Sequence, residues 1–180
     1  SDLYPAYHAG WQVDPDKMSR AQTNRGGASV GFLAELGGVE VASVIYLRIW
    51  CEGAKAQAQI KNDFICGLGF DHGEHAFQTF EKLCNLCAKH GRRPLMRHST
   101  RCKCLGADEA CFANFIASAA TGEQEDAMLI ATLLVRADVA PMITALATDF
   151  GLALKRMNLA ASRDLASGSP TTQQHPTTLH

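Results

Sequence analysis

A chain of 180 residues with 47% hydrophobic content is long enough to bury a core of its own, so it predicts one domain rather than a disulfide-stapled miniprotein. Its formal net charge of −1 argues against the overall basic footprint of a nucleic-acid binder. No run of about 18 apolar residues occurs, which excludes a helix that crosses a membrane; even the most apolar stretch, Val41 to Trp50, is broken by Ser43 and Arg48.

Residues 1–37 read as an irregular N-terminal arm with aromatic anchors Tyr4, Tyr7 and Trp11, a turn at Arg25-Gly26-Gly27, and one short helix near Gly31 to Leu36. The first ten residues lack the basic start and apolar core of a signal peptide, so no export leader is expected. Residues 38–158 are expected to form the helical domain, and residues 159–180 a flexible tail, because Ala161 to His180 is rich in Ser, Thr, Gln and Pro.

Within the domain, Val39 to Cys51 carries two patterns. Ile45, Leu47 and Ile49 alternate as in a strand, whereas Val41, Val44, Ile45 and Leu47 make a broad helical stripe. No comparable second strand exists to pair with it, so a helix is expected. Ala54 to Cys66 places Ile60, Phe64 and Ile65 together on a helix. Asp71 and Glu74 suggest a capping box that opens a helix to about Lys89, with Gly91 as its C-cap and Pro94 blocking continuation. Asp108 is expected to cap a helix to Ala120, and Thr121 with Gln124 to box the helix Glu123 to Val135. That helix is apolar nearly all round from Ala127, which predicts a central position, or a homodimer contact in place of the chain's own core. Asp138 opens the last helix, where Ile143, Leu146, Phe150, Leu154 and Met157 keep the helical period. The expected architecture is all-α, a single-domain bundle or array of about six helices with short loops and antiparallel neighbours.

Seven cysteines, an odd number, in a chain that does not need staples predict free thiols in a reducing cytoplasm. Five of them, Cys84, Cys87, Cys102, Cys104 and Cys111, fall in one stretch together with His90 and His98. Zinc takes four nitrogen or sulfur ligands, usually as close pairs from two segments. Cys84 and Cys87 form one such pair, and Cys102 and Cys104 another, with His98 four residues ahead. The metal set suggested is therefore His98, Cys102, Cys104, Cys84 and Cys87, with Cys111 as a local fourth ligand for the loop trio. The helical pair Cys84/Cys87 also lies on one face with Phe77 and Phe80, so core packing explains it equally well. An iron–sulfur cluster ranks below zinc because its usual cysteine runs have wider, repeated spacing.

Four protein ligands would make a structural site, and three would leave room for hydrolytic water, with Asp108 or Glu109 as base. Asp71, His72 and His75 could make a second metal site, although a polar helix start explains them too. Residues 89–103 carry Arg92, Arg93, Arg97, Arg101 and Lys103 without an acidic residue, a patch suited to phosphates of a nucleic acid or nucleotide, or simply to solvent. No aromatic residue interleaves it, so base stacking is not indicated. The leading expectation is a metal-binding helical protein of binding or regulatory type. The alternatives are a metal- or thiol-dependent enzyme using His98, Cys102 and Cys104, and nucleic-acid or nucleotide binding through the basic loop.

Overall fold

The apolar stripes become helices close to where their periodicity places them. A computed structural model describes residues 25–167. In chain order it contains β1 (Ser29–Phe32), a 3-10 turn (Leu33–Glu35), α1 (Gly38–Trp50), α2 (Ala54–Leu68) and α3 (Phe70–His90). After an extended loop come β2 (Cys104–Gly106), α4 (Ala107–Thr121), α5 (Gln124–Leu134) and α6 (Ala140–Ser167). The architecture is an all-α array, with one small antiparallel ribbon pairing Phe32 with Cys104 and Gly31 with Leu105.

The ambiguous segment 39–51 is helix α1, because its stripe has a helical partner surface and no strand partner. It buries Val44 and Leu47. The centre is α4 rather than α5. Helix α4 buries Phe112, Phe115, Ile116 and Ala119 and packs on α1, α5 and α6. Helix α5 buries only Ala127, Ala131 and Leu134, leaving Leu129 and Leu133 in solvent. Alanines on its inner face let it lie close to α4 and α6, and its leucines point away.

Between α2, α3 and α6 the core is aromatic. Phe80 stacks on Phe150 with centroids 4.6 Å apart, and Trp50 and Phe64 meet Phe80 at 5.6 and 6.2 Å. Such pairs add roughly 0.5–1.5 kcal/mol each beyond the area they bury. The α2–α3 hairpin turns on Gly69, whose φ of +83° suits a residue without a side chain. Gly73 then lets the helices touch at backbone distance: a Cβ there would lie 2.5 Å from Ile65 Cα.

Several expected helix starts are displaced by a residue or two. Gly69, not Asp71, precedes α3, and Glu74 faces Lys61 at 3.6 Å instead of reaching back to a cap. Gly91 ends α3 in an extended conformation and bridges to Val135. Asp108 is a first-turn residue of α4, whose N-cap is Gly106. Thr121 bonds back to the Ala117 and Ser118 carbonyls, so Glu123 caps α5. Helix α6 starts at Ala140, two residues after Asp138, and continues through Ser167, so residues 159–167 of the expected tail are helical. The short helix expected at Gly31 to Leu36 is instead strand β1 running into the 3-10 turn. Tyr4, Tyr7, Trp11 and residues 168–180 lie outside the described residues.

Candidate functional site

The loop between α3 and β2 carries most of the chemistry read from the sequence, and two carboxylates in the first turn of α4 hold it. Glu109 is buried and faces the buried Arg48 of α1, with Nε to Oε1 at 2.7 Å and Nη2 to Oε2 at 2.8 Å. The remaining guanidinium hydrogens reach loop carbonyls. Nη1 donates to Ser99 O and Cys102 O at 3.1 and 2.7 Å, and Nη2 to Cys104 O at 2.7 Å. Glu109 also accepts from the backbone N–H of His98 and of Gly106, both at 2.9 Å. Burial alone would raise the Glu109 carboxyl. The hydrogen bonds from Arg48 and from those two backbone groups outweigh it and hold the carboxyl below its usual range.

Asp108, one residue earlier, grips the other end of the loop. It makes a two-point pair with Arg93 and accepts from the Met96 N–H at 2.7 Å. Gly26 packs over this pair so closely that a Cβ would collide with both Asp108 and Arg93. The expectation that Asp108 or Glu109 serves as a catalytic base is therefore corrected. Both are committed to guanidinium groups, and the pairing favours the charged carboxylate of Glu109 over proton uptake.

Pinned in this way, the loop roofs a groove of about 440 Å³. Trp50, Leu47, Leu95 and Phe112 form apolar walls, Cys51, Cys84 and Cys87 add three thiols, and Arg97 stands at the edge. Arg97 is exposed and makes no ion pair with any described residue. Burial pushes the Cys87 thiol up to about 12 and Cys84 well above the usual thiol range. Cys51 is raised by burial against the groove wall, and Arg97 pulls in the opposite direction. Cys111, on α4, is raised by burial too. These four cysteines are therefore protonated near neutrality, which does not suit a low-pKa nucleophile.

The sequence-derived metal residues occupy two places. Cys84 and Cys87 face the groove from α3, Cys84 also buried in the main core. His98 borders a separate depression with Arg48, Glu52, Arg97, Ser99 and Thr100. Cys102 and Cys104, half-buried, offer their carbonyls to Arg48. Among the described residues, no three His, Cys, Asp or Glu side chains gather closely enough to hold a metal ion. One observation remains on the side of a ligand at His98: its Nε2 is buried, beside Gly106, without a hydrogen-bond partner among the described residues.

The basic patch is divided. Arg93 is paired with Asp108, and Arg92 Nε donates to Thr132 O at 2.5 Å, whereas Arg97, Arg101 and Lys103 are exposed without an ion pair among the described residues. His72 and His75 are exposed on the first turns of α3, and both border a small groove with Asp149 and Arg156. The residue that sequence reasoning missed is Arg48, taken there as an interruption of an apolar run. A cation in the middle of an apolar helix needs a buried carboxylate, and that was the available signal.

The chain matches no family model, no curated protein and no solved structure. None of the helices among the described residues is long and apolar enough to cross a membrane.

Proposed function

We propose that this chain is a non-catalytic binding protein whose groove under residues 94–97 takes a small apolar molecule with an anionic end. The observation that carries this reading is the groove itself: about 440 Å³ of space, apolar walls and, at the rim, Arg97, which has no ion pair among the described residues. Small-molecule sites are commonly clefts of about 300–1,000 Å³ lined by apolar side chains with few polar groups. An aliphatic chain would lie against Trp50, Leu95 and Phe112, and its carboxylate would meet Arg97. The seven unpaired thiols suit a reducing compartment such as the cytoplasm.

The test is a fluorescence titration of Trp50, in a chain carrying Trp11→Phe, with decanoate and with decanol. Decanoate binds more tightly, and Arg97→Gln lowers its affinity roughly tenfold while leaving decanol unchanged, as loss of one charge-assisted contact predicts. No change of Trp50 emission with either compound, or equal affinity for both in the unsubstituted chain, overturns the reading.

A second reading keeps zinc at His98, Cys102 and Cys104, which would have to draw together around the ion, and the buried Nε2 of His98, without a hydrogen-bond partner among the described residues, favours it. These residues would supply one nitrogen and two sulfurs to a structural ion. Elemental analysis decides it: about one zinc per chain, lost in His98→Ala and Cys102→Ser, is the expected result. A folded protein purified without metal removes it.

A further inference from the structure

Helix α5 presents an apolar stripe that no described element covers. Leu129 and Leu133 are 66% and 69% exposed, whereas the inner side of the same helix carries Ala127, Ala131 and Leu134. Positions 126, 129 and 133 follow the helical repeat and share one outward face. Asp126 and Leu129 border a groove of about 550 Å³ with Glu40, Glu123 and Ile130.

Charge along this stripe is sorted by end. Glu123, Glu125 and Asp126 stand at the N-terminal end, where the helix dipole favours them. Arg92 closes the C-terminal end, its backbone N–H on Leu134 O at 3.1 Å and its Nε on Thr132 O at 2.5 Å. Arg136 follows, 59% exposed, near His90 Nδ1 at 3.2 Å and the equally open Asp138 at 3.4 Å. An acidic end, a leucine centre and a basic end make a surface complementary to its own reversed copy.

We propose that α5 is the contact face of a symmetric homodimer in which a second copy of this chain packs antiparallel along Asp126, Leu129 and Leu133. The register follows from the sequence positions. A two-fold axis crossing the helix level with Ala131 sets Leu129 against the partner's Leu133, and Leu133 against the partner's Leu129. The same axis turns the acidic end, with Asp126, towards the partner's basic end, where Arg136 follows the helix, so each contact occurs twice, as an isologous interface requires. A basic peptide would satisfy only the acidic end and leave Arg92 and Arg136 facing solvent; a second copy uses both ends. The interface is small, of the weak class below about 1,200 Å², so the dimer forms reversibly as concentration rises.

Sedimentation velocity on the full chain over about a hundredfold concentration range tests this. The mass is expected to climb from 19.4 kDa towards twice that value. Leu129→Lys abolishes the rise. Asp126→Arg and Arg136→Asp each weaken association about tenfold, and the two together restore it, because the swapped charges meet across the axis. All three positions are exposed, and unchanged thermal melts at low concentration confirm that each variant folds. A chain that stays monomeric throughout, leaving the stripe to some other protein, overturns the proposal. So does a dimer that survives Leu129→Lys, or a double swap no better than the single ones.

Discussion

Arg48 and Glu109, separated by 61 positions, form an ion pair in which the side chains are 1% and 0% exposed. Their bond joins α1 to α4, and their remaining hydrogen-bonding capacity is spent on the loop. Arg48 satisfies the carbonyls of Ser99, Cys102 and Cys104, and Glu109 satisfies the N–H groups of His98 and Gly106. The pair is the template on which residues 98–106 are shaped.

Breaking a buried pair by removing one member leaves a charge without compensation, at a cost of about 3–5 kcal/mol. Arg48→Met and Glu109→Leu are each expected to lose that much stability in urea denaturation. Replacing both members of a buried pair with apolar residues is often neutral elsewhere. Here the double substitution is expected to remain at least about 3 kcal/mol below the unsubstituted chain, because five loop backbone groups lose their partners at once. A double variant as stable as the original chain would show that those groups find other partners.

Acid should expose the same arrangement. The Glu109 carboxyl sits below its ordinary value of 4.5 in the folded chain, held there against burial by Arg48, Gly106 and His98. A group whose folded pKa is depressed adds stability that is complete above its unfolded value and is lost as pH falls through the folded one. Stability is therefore expected to be insensitive to this group near neutrality and to decline on acidification below about 4.5. Glu109→Gln, which cannot titrate, shows a shallower decline. Urea midpoints measured for both chains across the acid range check the sign, and parallel curves would count against it.

The helical scaffold was legible in the sequence because it rests on local periodicity. Ile60 with Phe64, and Ile143, Phe150 and Leu154, keep the spacing of a buried helical face, and all five are buried in the main core. The position of α5 was misread because its outward leucines and inward alanines are equally apolar on paper. Only the neighbours decide which side faces inward. The site was less legible. Loop residues 91–103 have no periodicity, and their conformation is set by Arg48, Asp108 and Glu109 on distant helices. Cysteine spacing drew attention to this segment, yet it said nothing of carbonyls, and it is the Cys102 and Cys104 carbonyls that Arg48 engages. The groove was invisible for the same reason: Trp50, Cys84, Leu95 and Phe112 come from separate segments of the chain.

At the α2–α3 crossing, Gly73 is expected to tolerate no side chain. A Cβ would stand 2.5 Å from Ile65 Cα and 2.6 Å from Ile65 N, both backbone atoms that cannot rotate aside. Gly73→Ala gains about 1 kcal/mol in helix propensity but forces the hairpin apart around Phe64 and Phe80. Overpacking of this kind costs about 1–3 kcal/mol or more, so a net loss of stability is expected in thermal or urea unfolding. An equally stable or stabilised variant would mean that the two helices can separate freely at this point.

Thiol labelling separates the groove from the core and tests whether the groove is occupied by ligand. Cys66 is exposed on α2, away from the groove, and is expected to react with iodoacetamide in the native chain. Cys84 is buried and Cys87 has its thiol pushed up to about 12, so both stay protonated and unreactive until the chain unfolds. Cys51 lies between these extremes. It is open to solvent at the groove, raised by burial of its inner side and drawn back by Arg97. Its alkylation is expected to be slower than that of Cys66 and to slow further with decanoate present, whereas Cys66 is unaffected. Mass-spectrometric rates for each peptide give the comparison. Equal slowing at Cys66 would assign the effect to global stabilisation, and no slowing at Cys51 would place the ligand elsewhere. Arg97→Gln distinguishes contact from mere coverage. It removes the cation beside Cys51, so the unliganded rate falls, and it weakens the carboxylate's hold, so protection by decanoate falls with it.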